Sequence, residues 1–427
     1  MVNKSSEILV VGAGCFGLST AYHLLQQGHL SVTIIDRAHD LPAVDAASTD
    51  INKVVRSSYD DIEFTALARE AIQDWKSGDW DGAYHECGVV VLGMGEAPYA
   101  NQAYQNDVQL QARASLGIGS VQARFPPQTN LDAFGAVYVN LDGGWSNATK
   151  GVTKLMAKVR ALGGHVKGGK ELASLLYDDN GEVSGVKLVD GQEIKPDIII
   201  VATGAWTPSL FHDIDMGLTD RLTATGQCLA TVRLNDEQAE RHKDCPVLLD
   251  WSSGFYVFPP NEDNVVKFAI HTGGYLNLVS SLDSLVPVSS PRTVTSHPSN
   301  GLAIPREMAD ILREKLASVY PELAEIPFHG TRMCWYTDTA DANWVIDFHP
   351  KHPKLLFATG GSGHAYKFLP TIGRLVRERL EGTLNEKLAR MFAFDRPLDH
   401  LDGSRLKHLK RKYLHEDGLV SAQDLRV

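Results

Sequence analysis

The strongest chemical signal in the chain is a glycine loop followed by a carboxylate. Gly12-Ala13-Gly14-Cys15-Phe16-Gly17 has the spacing GxGxxG. Small residues at these positions let the backbone approach a pyrophosphate and leave helix N–H groups free to hold it. Asp36 ends the next β-branched run, where an acidic side chain accepts ribose hydroxyls and repels a 2′-phosphate. The residues Gly12, Gly14, Cys15, Phe16, Gly17, Asp36 and Arg37 are therefore expected to bind a dinucleotide other than NADP. A second element, Asp197-Ile-Ile-Ile-Val-Ala-Thr-Gly-Ala-Trp206, is an apolar run entering a small-residue turn. Thr203 and Gly204, returning to the nucleotide from mid-chain, suit FAD better than NAD because FAD spans more of such a fold. Ordinary turns in an α/β protein are the plainer reading of both elements.

Other reactive side chains say less by themselves. Lys53 and Arg56 read as a pair of surface cations. Lys267 and His271 lie four apart in the β-like run Val265–His271. Period two puts both on one face, with Ala269 between them leaving room. A lysine on a strand is nevertheless more often solvated than catalytic. The five cysteines, Cys15, Cys87, Cys228, Cys245 and Cys334, form no CxxC or Cys/His set, so neither a metal site nor a disulfide framework is expected. Trp75, Trp80, Trp145 and Trp251 read as core or interface residues.

Stepping outward to the supporting elements, residues 7 to 36 form one strand–helix–strand unit by periodicity. A helix is expected over about Asn147 to Leu162, followed by short strands near Val166 and Val186 with a turn at Asn180-Gly181. Between Leu210 and Thr331 the pattern is short β-like runs with Pro and Gly, and Leu278–Pro298 reads as a surface loop. From Phe357 the order is again strand, glycine-rich turn and helix. The implied fold class is α/β: a Rossmann-type, glutathione-reductase-like FAD-binding domain (residues 1–88, 148–222 and 331–398) interleaved with a mostly antiparallel β-sheet substrate domain (89–147 and 223–330). Residues 399–427 are expected to form a C-terminal extension.

The 427 residues carry 43% hydrophobic residues and a formal net charge of -11. That is ample for a sizeable core and unsuited to a nucleic-acid partner, which needs a basic face. The basic stretch Arg405–Lys412 reads as a solvated helix face. The first apolar run is short and ends in glycines, so it reads as a buried strand rather than a signal peptide or membrane span. The ending Leu425-Arg426-Val427 is no peroxisomal address. A cytoplasmic monomer or small homo-oligomer is expected.

With these elements in hand, nearly the whole chain resembles the sarcosine oxidase family of flavoenzymes, which includes the fructosyl amino acid oxidases (amadoriases) and saccharopine oxidases. The most specific stretch is Cys334-Trp-Tyr-Thr-Asp-Thr-Ala-Asp-Ala-Asn-Trp-Val-Ile-Asp347, followed by His349-Pro350 and Gly360-Gly-Ser-Gly-His-Ala-Tyr-Lys367. The resemblance implies a covalent FAD, held as an 8α-S-cysteinyl thioether through Cys334, with Gly361, Gly363, His364 and Lys367 near the cofactor. Gly254-Phe-Tyr-Val-Phe-Pro259 with Lys267 and His271 matches a family run. By that match Tyr256, Lys267 and His271 stand on the substrate and oxygen side of the flavin. Ser48-Thr-Asp-Ile-Asn-Lys-Val-Val-Arg-Ser-Ser-Tyr59 resembles the segment passing over the flavin, with Ser48 among the cofactor contacts, Lys53 beside the ring and Arg56 facing the substrate.

What the resemblance implies is an oxidase taking a hydride from the carbon beside nitrogen in a small carboxylated amine, with O2 reduced to hydrogen peroxide. Arg56 and Lys367 would clamp the carboxylate, and Lys267 would stabilise negative charge forming on oxygen. The fructosyl branch usually carries glutamate at the position of His271, so an N-methyl or other N-alkyl amino acid is expected over a fructosyl or saccharopine-like one. A flavin dehydrogenase with another electron acceptor and an NAD-dependent dehydrogenase are the competing readings.

Overall fold

The glycine loop lies between the strand Glu7–Val11 and the helix Cys15–Gln26. The computed structural model describes residues 2–426 apart from 78, 94–96, 132–134, 213, 215, 219–220, 281–285, 399–409 and 422. Gly12 turns at φ +110°, and a Cβ there would collide with the carbonyl of Ala202. The turn thus requires glycine both for its backbone angle and for its closeness to the next strand.

Glu7–Val11 sits inside a six-stranded sheet. Its order is Val345–His349, His352–Thr359, Ile198–Val201, Glu7–Val11, Ser31–Ile35 and His165–Lys167. All neighbours run parallel except the first pair. A parallel sheet needs cover on both faces, and alternation along the strands supplies it. Ile8, Val10, Val32 and Ile34 pack into the core that includes Leu18, Leu24, Val152 and Leu375 of three helices, Cys15–Gln26, Ala148–Ala161 and Ile372–Glu381. Leu9, Val11 and Ile35 point the other way, toward Leu172, Leu175 and Val186 of a small antiparallel sheet. The helix Ala148–Ala161 begins where expected because Asn147 caps it, accepting from the Lys150 N–H at 3.1 Å.

The larger sheet is mostly antiparallel. Its order is Lys412–Tyr413, Tyr275–Leu276, Thr223–Arg233, Val265–Ile270, Phe255–Val257, Val247–Asp250, Val89–Gly93, Gly135–Asn140 and Ala114–Leu116. Phe328–Asp338 pairs alongside Thr223–Arg233 and brings Cys334 opposite Gln227.

Two expectations need correction. The region between Leu210 and Thr331 is not only β-like, since Arg306–Val319 is a helix that buries Met308, Leu312, Leu316 and Val319 on one side. Leu278–Pro298 is not simply a surface loop: Leu278–Val279 pairs with Val288–Ser289, and Arg292 is 2% exposed. The described residues after 409 pack against the rest of the chain. Lys412–Tyr413 joins the large sheet, and Val420 N–H bonds to the Ile304 carbonyl at 2.9 Å. Most of the basic stretch 405–412 lies outside the described residues.

Candidate active site

Two adjoining cavities lie among the described residues. The first, about 680 Å³, is lined by Gly12, Gly14, Cys15, Phe16, Asp36, Arg37, Ser48, Lys53, Thr203, Gly204, Gly361 and Gly363. All of these were expected to contact a cofactor. The helix start lies on the cavity wall uncapped, because its N-cap is Gly14 and no side chain caps it. Asp36 fixes the loop: its two oxygens accept from the N–H groups of Ala13 at 2.8 Å and Ala38 at 2.9 Å. Each oxygen keeps a second acceptor site for a hydroxyl. Burial pushes the Cys15 thiol well above its ordinary value, which makes it a small apolar lining group rather than a nucleophile. The Arg37 guanidinium lies 4.1 Å from the centre of the Trp206 ring, also in this wall. One oxygen of Asp45 is buried here with no partner. A glycine cradle, an uncapped helix and an orphaned acceptor together fit a dinucleotide such as FAD.

Gly17 does not line the cavity but packs under the loop, where a Cβ would strike the Gly12 carbonyl. His364 and Lys367, also expected near the cofactor, line the second cavity instead. Cys334 is buried at 3% exposure, with its sulfur 3.4 Å from Lys53 Nζ.

The second cavity is about 450 Å³ and shares Lys53, Tyr336, Gly363 and Tyr366 with the first. Gly363, at φ +75°, lies so close to the Tyr336 ring that any Cβ would overlap it. Lys267 and His271 both line this cavity, as the strand period expects, with Tyr256 beside them. Burial raises the Tyr256 phenol to about 12, so it stays protonated near neutral pH.

A residue not singled out from the sequence organises one end. Asp50 lies 2.6 Å from Lys267 Nζ and 2.8 Å from Lys53 Nζ. Lys267 also donates to the Asn52 carbonyl at 2.7 Å. The two lysines respond oppositely. Burial dominates at Lys267 and brings it down to about 8 despite Asp50. At Lys53 burial also lowers the value, but Asp50, Cys334 and Tyr256 together raise it above the usual range. Asp50 itself is pushed up by burial and held well below the ordinary carboxylate range by Lys267, Lys53 and Arg332. The Asn52 side chain is fully buried, and neither its nitrogen nor its oxygen has a partner.

At the other end stand Arg56 and Lys367. The Arg56 guanidinium lies between two rings, 4.5 Å from the centre of Tyr59 and 4.9 Å from that of Trp251, and donates to the Ser58 carbonyl. Trp251, read from the sequence as a core or interface residue, packs against a core cluster and is also a wall of this cavity. Lys367 Nζ donates to Tyr59 Oη at 2.8 Å and to the His364 carbonyl at 2.7 Å. His364 Nε2 lies 2.8 Å from the Ala342 carbonyl, which can only accept. In the neutral ring Nδ1 is then the acceptor, and it receives the Tyr59 hydroxyl at 3.0 Å. Burial, reinforced by Arg56, pushes the Lys367 ammonium well below its ordinary value. Among the described residues no carboxylate forms an ion pair with Arg56 or Lys367. Arg56, a buried cation, and Lys367, a buried amine donor, stand on either side of Tyr59, and an incoming anion would favour the charged form of Lys367. Tyr59 closes the quoted run Ser48–Tyr59, so its place was visible although its role was not.

A family model described as FAD dependent oxidoreductase matches residues 7–379. The L-saccharopine oxidase of Schizosaccharomyces pombe is 30% identical over 408 residues, covering 90% of this chain and 92% of that protein. Human peroxisomal sarcosine oxidase is 23% identical over 390 residues, covering 87% and 91%. Among solved structures, fructosyl peptide oxidase from E. terrenum aligns with a TM-score of 0.86 at 26% identity, over 97% of each chain.

Proposed function

The chain belongs to the FAD-dependent oxidoreductase family, and on that premise we propose that it oxidises the C–N bond of a secondary-amine amino acid. The N-substituent is a methyl or other alkyl group, the product is an imine, and O2 is reduced to hydrogen peroxide. The carbon gives up a hydride and the nitrogen a proton, which together account for both electrons and both hydrogens of the peroxide. Bound FAD supplies the hydride acceptor and the path for two electrons to oxygen.

The observation that carries this reading is the pair Arg56 and Lys367, buried with no carboxylate ion-paired to either among the described residues, in a cavity that shares lining residues with the dinucleotide cavity. Arg56 grips the substrate carboxylate through its planar fork, and Lys367 adds a donor that the bound carboxylate holds in its charged form. Fixing that end orients the amine-bearing carbon, and such orientation accounts for much of a rate enhancement. Tyr256 and His271 shape the amine side. Lys267, charged at neutral pH, stabilises negative charge as it develops on oxygen. Cys334 holds the cofactor through a thioether, beside Lys53.

The S. pombe relative favours a second reading within the same class, in which the N-substituent itself bears a carboxylate, as in saccharopine. A panel of N-methyl, saccharopine-like and fructosyl amino acids, followed by peroxide release and by anaerobic bleaching of the flavin, tests both. Bleaching without peroxide in air would replace the oxidase with a dehydrogenase. Bleaching only by amines that lack a carboxylate would remove the Arg56–Lys367 clamp.

A further inference from the structure

We propose that Glu416, Arg292 and Thr293 form a clasp behind Asp45 in the wall of the dinucleotide cavity, so that the C-terminal segment sets how firmly FAD is held. The chain of contacts is continuous. The Glu416 carboxylate takes a two-point grip from Arg292, at 2.5 Å to Nε and 2.9 Å to Nη2. Arg292 is otherwise buried and spends its remaining donors on Asn300, at 2.7 Å to the backbone carbonyl and 2.5 Å to the side-chain oxygen. Its own carbonyl accepts the Trp335 Nε1–H at 2.8 Å, and Trp335 lines the cavity next to Cys334.

The neighbouring residue completes the link. Thr293 Oγ1 donates to one oxygen of Asp45 at 2.7 Å, and Arg37 approaches that same oxygen at 3.5 Å. The other Asp45 oxygen is buried and has no partner. Asp45, Thr295 and Ser296 all line the cavity with the glycine loop. A buried carboxylate oxygen without a donor is unfavourable unless a ligand supplies one, and a hydroxyl of the bound dinucleotide would be that donor. Holding the stretch Thr293 to Ser296 keeps Asp45 in its place in the cavity wall. Arg292 and Glu416 are positioning residues, since neither lines the cavity. Glu416 is 57% exposed in its side chain, which makes it the least disruptive place to release the clasp.

The test uses Glu416→Gln in a Cys334→Ser background, where no thioether can retain the cofactor, and follows flavin fluorescence as FAD leaves the holoprotein. A charge-assisted two-point contact discounted for that exposure leads us to expect release about five- to tenfold faster. The control is Asp424→Asn, which removes the 3.0 Å tie to Arg306. That tie also fastens the C-terminal segment but to the helix Arg306–Val319, away from the cavity. Release by Glu416→Gln at the parent rate, or equal acceleration by Asp424→Asn, would overturn the clasp. FAD titration of apoprotein from riboflavin-starved cells, with Cys334 intact, reads the same effect on association. There Glu416→Gln should weaken initial binding while leaving the melting temperature of the apoprotein unchanged. A lowered apoprotein melting temperature with normal FAD binding would assign the contact to folding alone.

Discussion

Replacing Lys267 by methionine separates the two halves of the proposed reaction. Lys267 is 1% exposed and held at 2.6 Å by Asp50, so its charge acts in a poorly screened place. At an effective dielectric of about 20, a unit charge about 5 Å from the reacting oxygen is worth roughly 3 kcal/mol, or about a hundredfold in rate. Lys53 remains beside Asp50 and retains part of that field, so the expected loss is about ten- to hundredfold in reoxidation by O2. Substrate carboxylate is held at the other end of the cavity, so flavin reduction should change by less than about threefold on the same reasoning. The pH dependence has a definite sign. The ammonium form predominates below about 8, so reoxidation should be fast there and decline as pH rises through that value, whereas the methionine variant should be flat. Stability gives a second sign. The folded value lies below the usual lysine value of about 10.4, so the folded state carries a penalty that is full below pH about 8 and relieved between there and about 10.4. Wild type should gain stability across that window, and the variant should not. Stopped-flow mixing of anaerobically reduced enzyme with oxygen, beside anaerobic mixing of oxidised enzyme with substrate, reads both halves. Equal slowing of the two would refute the reasoning, and so would reoxidation that stays near the wild-type rate.

Other perturbations touch the remaining parts of the site. Cys334→Ala should move the yellow colour from the pellet to the supernatant after acid precipitation; colour still in the pellet would place the attachment elsewhere. Arg56→Ala should raise the apparent KM for a carboxylated amine about ten- to hundredfold, given about 1.5–3 kcal/mol for hydrogen bonds to a charged group. An unchanged KM would reject the clamp. Gly12→Ala places a methyl against the Ala202 carbonyl at φ +110°, so the purified protein should lack bound flavin; flavin at the parent ratio would show that the loop can shift.

Much of this site was legible because its parts are local. A glycine loop between a strand and a helix, with Asp36 at the end of the next strand, is written within thirty or so residues, and all but Gly17 of its expected ligands line one cavity. Lys267 and His271 were placeable because a strand has a period of two. Asp50 was not, for a physical reason. Its partner Lys267 lies on a distant strand of the other sheet, and no local pattern reports which cations will converge on one carboxylate. The contact of Trp251 with Arg56 was not legible either, since a tryptophan in the core and one stacked on a guanidinium look alike in sequence. The helix Arg306–Val319 was missed although its apolar residues recur at helical spacing, because Pro and Gly on both sides suggested β structure. The role of Arg292 is invisible without the C-terminal segment that reaches back to it.

The order of strands in the six-stranded sheet has a consequence for synthesis. Glu7–Val11 and Ser31–Ile35 are made first, yet the strand paired to Ile198–Val201 on its far side is His352–Thr359. Until that segment leaves the ribosome, Ile198–Val201, buried at every position in the finished protein, presents an apolar open edge. Such edges recruit other strands and favour aggregation. The cofactor cradle therefore cannot mature as the first piece of the chain to fold, although its signature is the first thing written. Ribosome-bound chains halted near residue 340 should need a chaperone to stay soluble, and flavin capture should come late, after most of the chain is already out.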